Sequence, residues 1–590
     1  MRVEKRQKRN LISIPFEQAP KLSIEYSFFI LIHGCIPTFQ VICVANLLNS
    51  MLRYVKTDGN IKDTVIYISM YLLLLSLNTF LEKFISIVSV RLQIILREGL
   101  GIKLVEHTSK IKYSILESEK IQNLKERVCK DTELEVMKGF NNFLYLIKLF
   151  IQIAGILFIV GTHVWWMPFV VLFFSVPVIL LARKGSVEKY ETHKDTSKLR
   201  RKSEYYSRIL TNREVSGERV VFQFTDWVND KYKAACDEFF EKNRKMRGKW
   251  LLRSKACSIL YLFIIILLVL ILLPITLSGR MTLGYFISIM TNSISLVNMI
   301  SWSLSSYFEG ISRWNEFRKD LYNYLDLEEE LTALNWKSKY LEEIRTIELK
   351  NVSFTYPGTE RKILDGISLT MEAGKHYAIV GENGAGKTTL IKILTRLYDS
   401  YEGEIFINGR ELKSYPIEYI KNIYSIAYQD FARYDMTIKN NIVLGRDEID
   451  TDIDNLLEQV GLTCLIQKYE NGLDTHIGKL EGEGVDLSGG EWQKIALARA
   501  LLPNGVVRIL DEPTAALDPI NESLLYQQFQ TNLKGTMTLF ISHRLGSTIL
   551  ADTIYVLSNG KIVEQGSHQQ LYKFNGVYTQ MYDAQRRWYR

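Results

Sequence analysis

The sequence predicts an α-helical membrane domain of six spans followed by an α/β phosphate-loop domain. Three observations predict it. Six apolar runs crowd the first 310 of 590 residues, and none follows. A G-x-x-x-x-G-K-[ST] motif, Gly381 to Thr388, lies between a strand-like run and a helix-like run. Charge divides at the same place: residues 1–343 hold 47 Lys+Arg against 34 Asp+Glu, net +13, whereas residues 344–590 hold 26 against 31, net −5. Composition removes other classes. At 47% hydrophobic and 23% charged, the chain is too apolar for disorder and too charged for membrane helices alone. Six scattered cysteines without a C-x-x-C pair argue against a disulfide framework or a zinc ribbon.

Residues 1–25 form a basic start with no short apolar core and cleavage site, so they read as a cytoplasmic terminus rather than a signal peptide. The membrane domain is set at 26–325. Its runs are 26–48, 64–90, 143–163, 164–182, 256–278 and 283–308, each long enough for ~30 Å of hydrocarbon. A single such run can also be a buried core helix; six in succession favour a membrane. Trp165 and Trp166, at the break between the third and fourth runs, suit an interfacial belt.

The short connections 49–63, 163–166 and 279–282 carry four Lys/Arg in total. The long segments 91–139 and 183–255 carry thirty, which places them and both termini in the cytoplasm. Both long segments read as helical extensions that double back, near Tyr113–Glu126 and Thr211–Phe224. The turn-backs are either solvated coiled-coil surface or short helices docked on the soluble half.

Ionisable residues inside the spans are few: Glu82, Lys83 and Lys148. Such groups face a water-filled cavity or a partner, and Glu82 and Lys83 can also compensate each other near the membrane face. In the last span Thr291, Ser295, Asn298, Trp302 and Ser305 recur on one helical face, which suits either a lined path or helix–helix packing.

An acidic linker, 326–343, leads to the second domain, 344–590. There the run HYAIV, the loop Gly381, Glu382, Asn383, Gly384, Ala385, Gly386, and the start Lys387, Thr388, Thr389 of a helix make a phosphate cradle. Backbone N–H groups turn inward, Lys387 brings a charge to the β/γ-phosphates, and Thr388 offers a hydroxyl to Mg²⁺. The motif alone predicts a bound nucleotide with Mg²⁺. The run VVRILDEP ends a strand in Asp511, suited to Mg²⁺ through water, followed by Glu512 in the place of a general base. Arg508 interrupts that strand and is expected at its exposed face or snorkelling.

LSGGEWQKIALARAL, from Leu487, resembles the signature of ATP-binding cassette (ABC) proteins. The resemblance implies that Ser488, Gly489 and Gly490 meet the nucleotide of a second cassette. It implies further roles for Tyr356 as an adenine platform, Gln429 as a loop residue sensing Mg²⁺, Asp518 at a dimer interface and His543 as a γ-phosphate switch. EGEGVD, from Glu481, sits where exporters carry a loop touching the partner's coupling helices. One departure exists: the fifth signature position, usually Gln, is Glu491, with little effect on hydrolysis expected. The whole order resembles a half-size exporter of type I, also called the type IV fold. The runs YQDFARYDMTIKNNIVLG and DEPTAALDP are similar to bacterial lantibiotic exporters, the group that includes the nisin exporter.

The resemblance implies a homodimer with two composite sites in a bacterial cytoplasmic membrane, a heterodimer being the other arrangement. It implies membrane lipids and an exported peptide or other amphipathic substrate as partners, and no nucleic acid. With the first run starting near Tyr26, no N-terminal peptidase is expected. Lipid or drug extrusion is the alternative function. A regulatory ATP-gated protein is disfavoured by the complete motifs.

Overall fold

The computed structural model describes residues 13–57, 61–166, 199–299, 303–330, 343–445, 453–478, 484–502, 505–513, 519–532, 535–542 and 547–587, with isolated positions between 168 and 196. It divides into two units, Met1–Ser109 with Glu119–Leu327, and Lys110–Ser118 with Glu328–Arg590.

The first unit is helical. Its main elements are α1 (Pro20–Thr57), α2 (Ile61–Leu96), α3 (Glu119–Cys129), α4 (Thr132–His163), α5 (Arg213–Phe222), α6 (Thr225–Leu277), α7 (Leu283–Met299) and α8 (Ser305–Leu325). Among the described residues three helices are long and apolar enough to cross a membrane: Pro20–Val55, Ile61–Lys110 and Thr132–Thr162. Most of the expected fourth span lies outside the described residues. Leu73, Phe80 and Phe158 point outward from these helices, as lipid-facing side chains do. α1 packs against α2, α4 and α7, and α8 packs against α4 and α3. Small residues permit the closest approaches. A Cβ at Gly139 of α4 would stand 2.1 Å from the Trp314 ring of α8, so only glycine admits that indole. Asn49 ties the end of α1 to the start of α7, its Oδ1 accepting from Gly284 N at 2.9 Å and its Nδ2 donating to Thr282 Oγ1 at 2.8 Å. Trp165 is exposed just beyond α4, where the third run ends. On the polar face of the last span, Thr291 turns its hydroxyl back to the Ile287 and Ser288 carbonyls; the other four side chains lie outside the described ones.

The second unit is α/β. Its strands are β1 (Thr346–Thr355), β2 (Lys362–Glu372), β3 (His376–Gly381), β4 (Glu402–Ile407), β5 (Arg410–Glu411), β6 (Tyr424–Ala427), β7 (Met436–Thr437), β8 (His476–Ile477), β9 (Val507–Asp511), β10 (Met537–Ile541), β11 (Thr553–Ser558) and β12 (Lys561–Gly566). An antiparallel sheet runs β2-β1-β4-β5, and a larger one runs β12-β11-β3-β10-β9-β6. In the larger sheet β11, β3, β10, β9 and β6 are mutually parallel. Buried on both faces, β3 and β10 read as unbroken apolar runs rather than alternating ones. Two apolar clusters form the core of this unit.

The first long connecting segment, 91–139, departs from the expected boundary. Lys110–Ser118 belongs to the α/β unit, whereas the rest of the expected turn-back Tyr113–Glu126, from Glu119 on, does not. The backbone gives the reason: Ile111 forms a bridge with Glu329, Lys112 N donates to Glu328 O at 3.3 Å, and Glu330 N donates to Lys110 O at 2.6 Å.

Candidate functional site

Parallel pairing aligns the chemistry. Ile541 lies opposite both Ile379 and Asp511, and Ala427 opposite Leu510. The loops after β3, β9, β10 and β6 therefore leave the same edge of the sheet, the carboxyl ends where α/β folds bind ligands. Those loops carry Gly381–Gly386, Asp511–Glu512, Ser542 and Gln429.

The phosphate loop turns from β3 into the helix α9 (Lys387–Leu394). Gly384 and Gly386 hold φ of +81° and +107°, a region that side chains disfavour. At Gly386 a Cβ would also stand 2.7 Å from Leu364 and 3.0 Å from the Ile363 carbonyl. Lys387 Nζ donates to Gly381 O at 2.8 Å and Glu382 O at 3.1 Å, so the ammonium is folded back into its own loop. Burial lowers the pKa of that ammonium, with the Glu512 and Asp511 charges acting the other way. Ala385 and Thr389 are buried; Asn383 is exposed.

Thr388 Oγ1 donates to Asp511 Oδ2 at 3.4 Å. Burial, then the neighbouring Glu512 charge, push the Asp511 carboxyl up to about 6. Glu512 is nine-tenths buried and sits at φ +49°, a left-handed conformation rare for a non-glycine residue. Its N–H donates to Ile541 O at 2.8 Å, and its Oε2 accepts from Gln429 Nε2 at 2.9 Å. Gln493, which the sequence did not single out, donates to the Glu512 carbonyl at 3.1 Å. A buried glutamine on an otherwise apolar helix face was the available signal.

Tyr356 follows β1. Its hydroxyl is 3.1 Å from Thr389 Oγ1, and its ring meets Phe354 and Tyr398 edge-on. Ser488 caps the helix α10 (Gly489–Leu501), whose first residues are Gly489 and Gly490. The Glu491 departure has a structural role there. Glu491 N donates to Ser488 Oγ at 3.3 Å, while its Oε2 accepts from Ser488 N at 2.7 Å and from Ser488 Oγ at 2.8 Å. This is a reciprocal capping box. Burial would raise the Glu491 carboxyl, but the Ser488 bonds outweigh it and the pKa falls below the usual range. Arg508 is not at an exposed face: it is half-buried in β9, with Nε enclosed and unpartnered among the described residues. Asp518, His543 and Glu481 lie outside the described residues.

A second group adjoins the loop helix. Lys392 Nζ donates to Glu117 Oε1 at 2.8 Å, Tyr398 donates its hydroxyl to Glu117 Oε2, and Tyr113 meets Tyr398 edge-on at 6.0 Å. Burial would raise the Glu117 carboxyl; the Lys392 and Tyr398 bonds outweigh it and hold it low. Glu117 and Tyr113 thus fasten the Lys110–Ser118 segment to the helix that begins with Lys387.

The family model for the ABC transporter matches residues 364–515. The subtilin transport ATP-binding protein SpaT of Bacillus subtilis is 30% identical over 606 residues, covering 99% of this chain and 97% of that protein. The chain belongs to the ABC transporter family. The nisin transport ATP-binding protein NisT of Lactococcus lactis subsp. lactis is 28% identical, covering 95% of this ABC exporter and 94% of its relative. An ATP-dependent lipid A-core flippase of Haemophilus ducreyi is 28% identical over 89% of each chain. A bacterial Atm1-family ABC exporter with ATP bound superposes with a TM-score of 0.74 at 21% identity, covering 96% of this chain and 98% of that one, which shows the shared fold. An ABC exporter of this kind is a membrane protein that binds ATP and hydrolyses it to drive transport.

Proposed function

We propose that this exporter moves a ribosomally made, lantibiotic-type peptide out of a bacterial cell as a homodimer. The observation that carries the reading is similarity across nearly the full lengths of the subtilin and nisin transport proteins. The lipid A-core flippase at 89% coverage supports the alternative, a lipid cargo.

The donor set fits nucleotide and metal. The Thr388 hydroxyl, the Asp511 carboxylate and the Gln429 side chain are hard oxygen donors of the kind Mg²⁺ accepts. At Gly384 nothing lies within 4 Å of where a Cβ would stand, so the loop is open there. Bound Mg²⁺ would neutralise phosphate charge. With nucleotide bound, Lys387 would exchange its bonds to the Gly381 and Glu382 carbonyls for an ion pair with the phosphates. Tyr356 stacks the adenine. Glu512, held by Gln493 and Ile541 on its backbone, accepts the proton of the attacking water. His543 and Asp518 take the switch and interface roles. Ser488, Gly489 and Gly490 of a second copy close each site, so hydrolysis requires the dimer. Exposed Val220, Val221 and Phe222 on α5 support docking of that turn-back on a partner cassette.

Cargo class is tested in nanodiscs. A lantibiotic-type peptide should raise ATPase activity in a saturable way, while lipid A should not. Stimulation by lipid A alone would favour the flippase reading.

A further inference from the structure

Four helices of the membrane unit line a cavity of about 400 Å³, within the roughly 300–1,000 Å³ typical of small-ligand pockets. α1 supplies Tyr26 and His33, α2 Glu82, α4 Tyr145 and Lys148, and α8 Tyr307. In sequence, Glu82, which adjoins Lys83, and Lys148 lie in separate spans. The fold brings both to one space.

Charges at this depth need partners. Lys148 has one: its Nζ donates to His33 Nδ1 at 2.6 Å and lies 5.8 Å from the Tyr145 ring centre. A lysine ammonium only donates, so neutral His33 carries its proton on Nε2. Glu82 is exposed and, among the described residues, makes no hydrogen bond or ion pair within 4 Å, although its charge acts on Lys148 and His33 across the cavity. Tyr145 and Tyr307, which line the same cavity, hold their rings 6.1 Å apart. A carboxylate next to aromatic faces is a recognition chemistry for alkylammonium groups, and one ammonium already rests near Tyr145.

We propose that this cavity is a subsite for a primary ammonium group of the exported substrate. Glu82 is its counter-ion and the Tyr145–Tyr307 pair its wall. The proposal deepens the peptide-export reading and rests on it for the cargo, because the volume admits a side chain or terminus rather than a whole peptide. The Lys148 amine, hydrogen-bonded to His33, already has a partner. It therefore acts as a fixed like charge that tempers affinity rather than as an anion receptor.

The full-length protein in phosphatidylcholine nanodiscs tests this with three probes: a synthetic amphipathic peptide bearing lysines, the same peptide with every amine acetylated, and dodecylamine. Glu82→Gln should weaken the lysine peptide and dodecylamine by about tenfold, the size of one charge-assisted pair. The acetylated peptide should be unaffected, and Lys148→Gln should tighten both amines. Basal ATPase equal to wild type reports an intact fold. If Glu82→Gln fails to fold, the acetylation contrast in wild type and retention of amine binding by Glu82→Asp carry the test. Equal binding of acetylated and free peptide, no effect of Glu82→Gln on either amine, or weaker amine binding in Lys148→Gln would overturn the subsite. If dodecylamine behaves as expected but neither peptide binds, the subsite stands and the peptide-cargo reading falls.

Discussion

Gln429 donates from Nε2 to Oε2 of Glu512 at 2.9 Å, joining the end of β6 to the residue after β9 across 83 positions of sequence. The bond orients the carboxylate proposed as the base and occupies one of its oxygens. On the proposed roles, nucleotide reaching Gln429 would act on Glu512 through this bond.

Replacing Glu512 by Gln should preserve ATP binding and nearly abolish turnover, since a carboxamide accepts no proton from water. General acid–base groups contribute ~10²–10⁴-fold, and turnover in the purified variant should fall by that much. Activity within threefold of wild type would remove Glu512 from the role.

Lys387→Ala leaves the Gly381 and Glu382 carbonyls without their ammonium donor and the phosphates without their cation. Nucleotide affinity, followed with a fluorescent ATP analogue, should fall at least tenfold. Unchanged affinity would contradict the phosphate-loop assignment.

Asp511 gives a pH dependence. Its carboxyl is pushed up to about 6, above the ~3.9 of an unfolded chain. Between those values the folded protein binds the extra proton. The nucleotide-free cassette should therefore gain stability as pH falls from about 6 to 4 and lose it as pH rises through that window. On the proposed role of Asp511 toward Mg²⁺, which needs the carboxylate, apparent Mg·ATP affinity should fall with acidification below about pH 6. Titrations of binding and of thermal unfolding read the two trends, and Asp511→Asn should flatten both.

Much of the nucleotide half is legible in sequence because its physics is local. HYAIVG and MTLFI are continuous apolar strands, and the loops at their ends carry the motifs. The capping box was legible too, since Ser488-Gly489-Gly490-Glu491 fits S-x-x-E. What escaped depends on distant partners. His33 lies in an apolar run, 115 positions from Lys148. Glu117 finds Lys392 only after 275 positions. The left-handed backbone at Glu512 has no signature, because glutamate does not favour it. The turn-back expected at Tyr113–Glu126 runs past Ser118, where the segment held by the α/β unit ends, because helical periodicity continues there.

The exposed α5 turn-back carries the dimer expectation. In a background freed of native cysteines, pairs placed between positions 213–222 and the Gln429 loop should crosslink between subunits. Failure of every pair in folded, ATPase-active protein would contradict the swapped arrangement.

Transport itself tests the central claim. Proteoliposomes with outward-facing cassettes should accumulate a lantibiotic-type peptide when given Mg·ATP, and Glu512→Gln vesicles should bind ATP yet accumulate none. Equal accumulation without ATP, or undiminished accumulation in Glu512→Gln, would contradict an exporter driven by hydrolysis at this site.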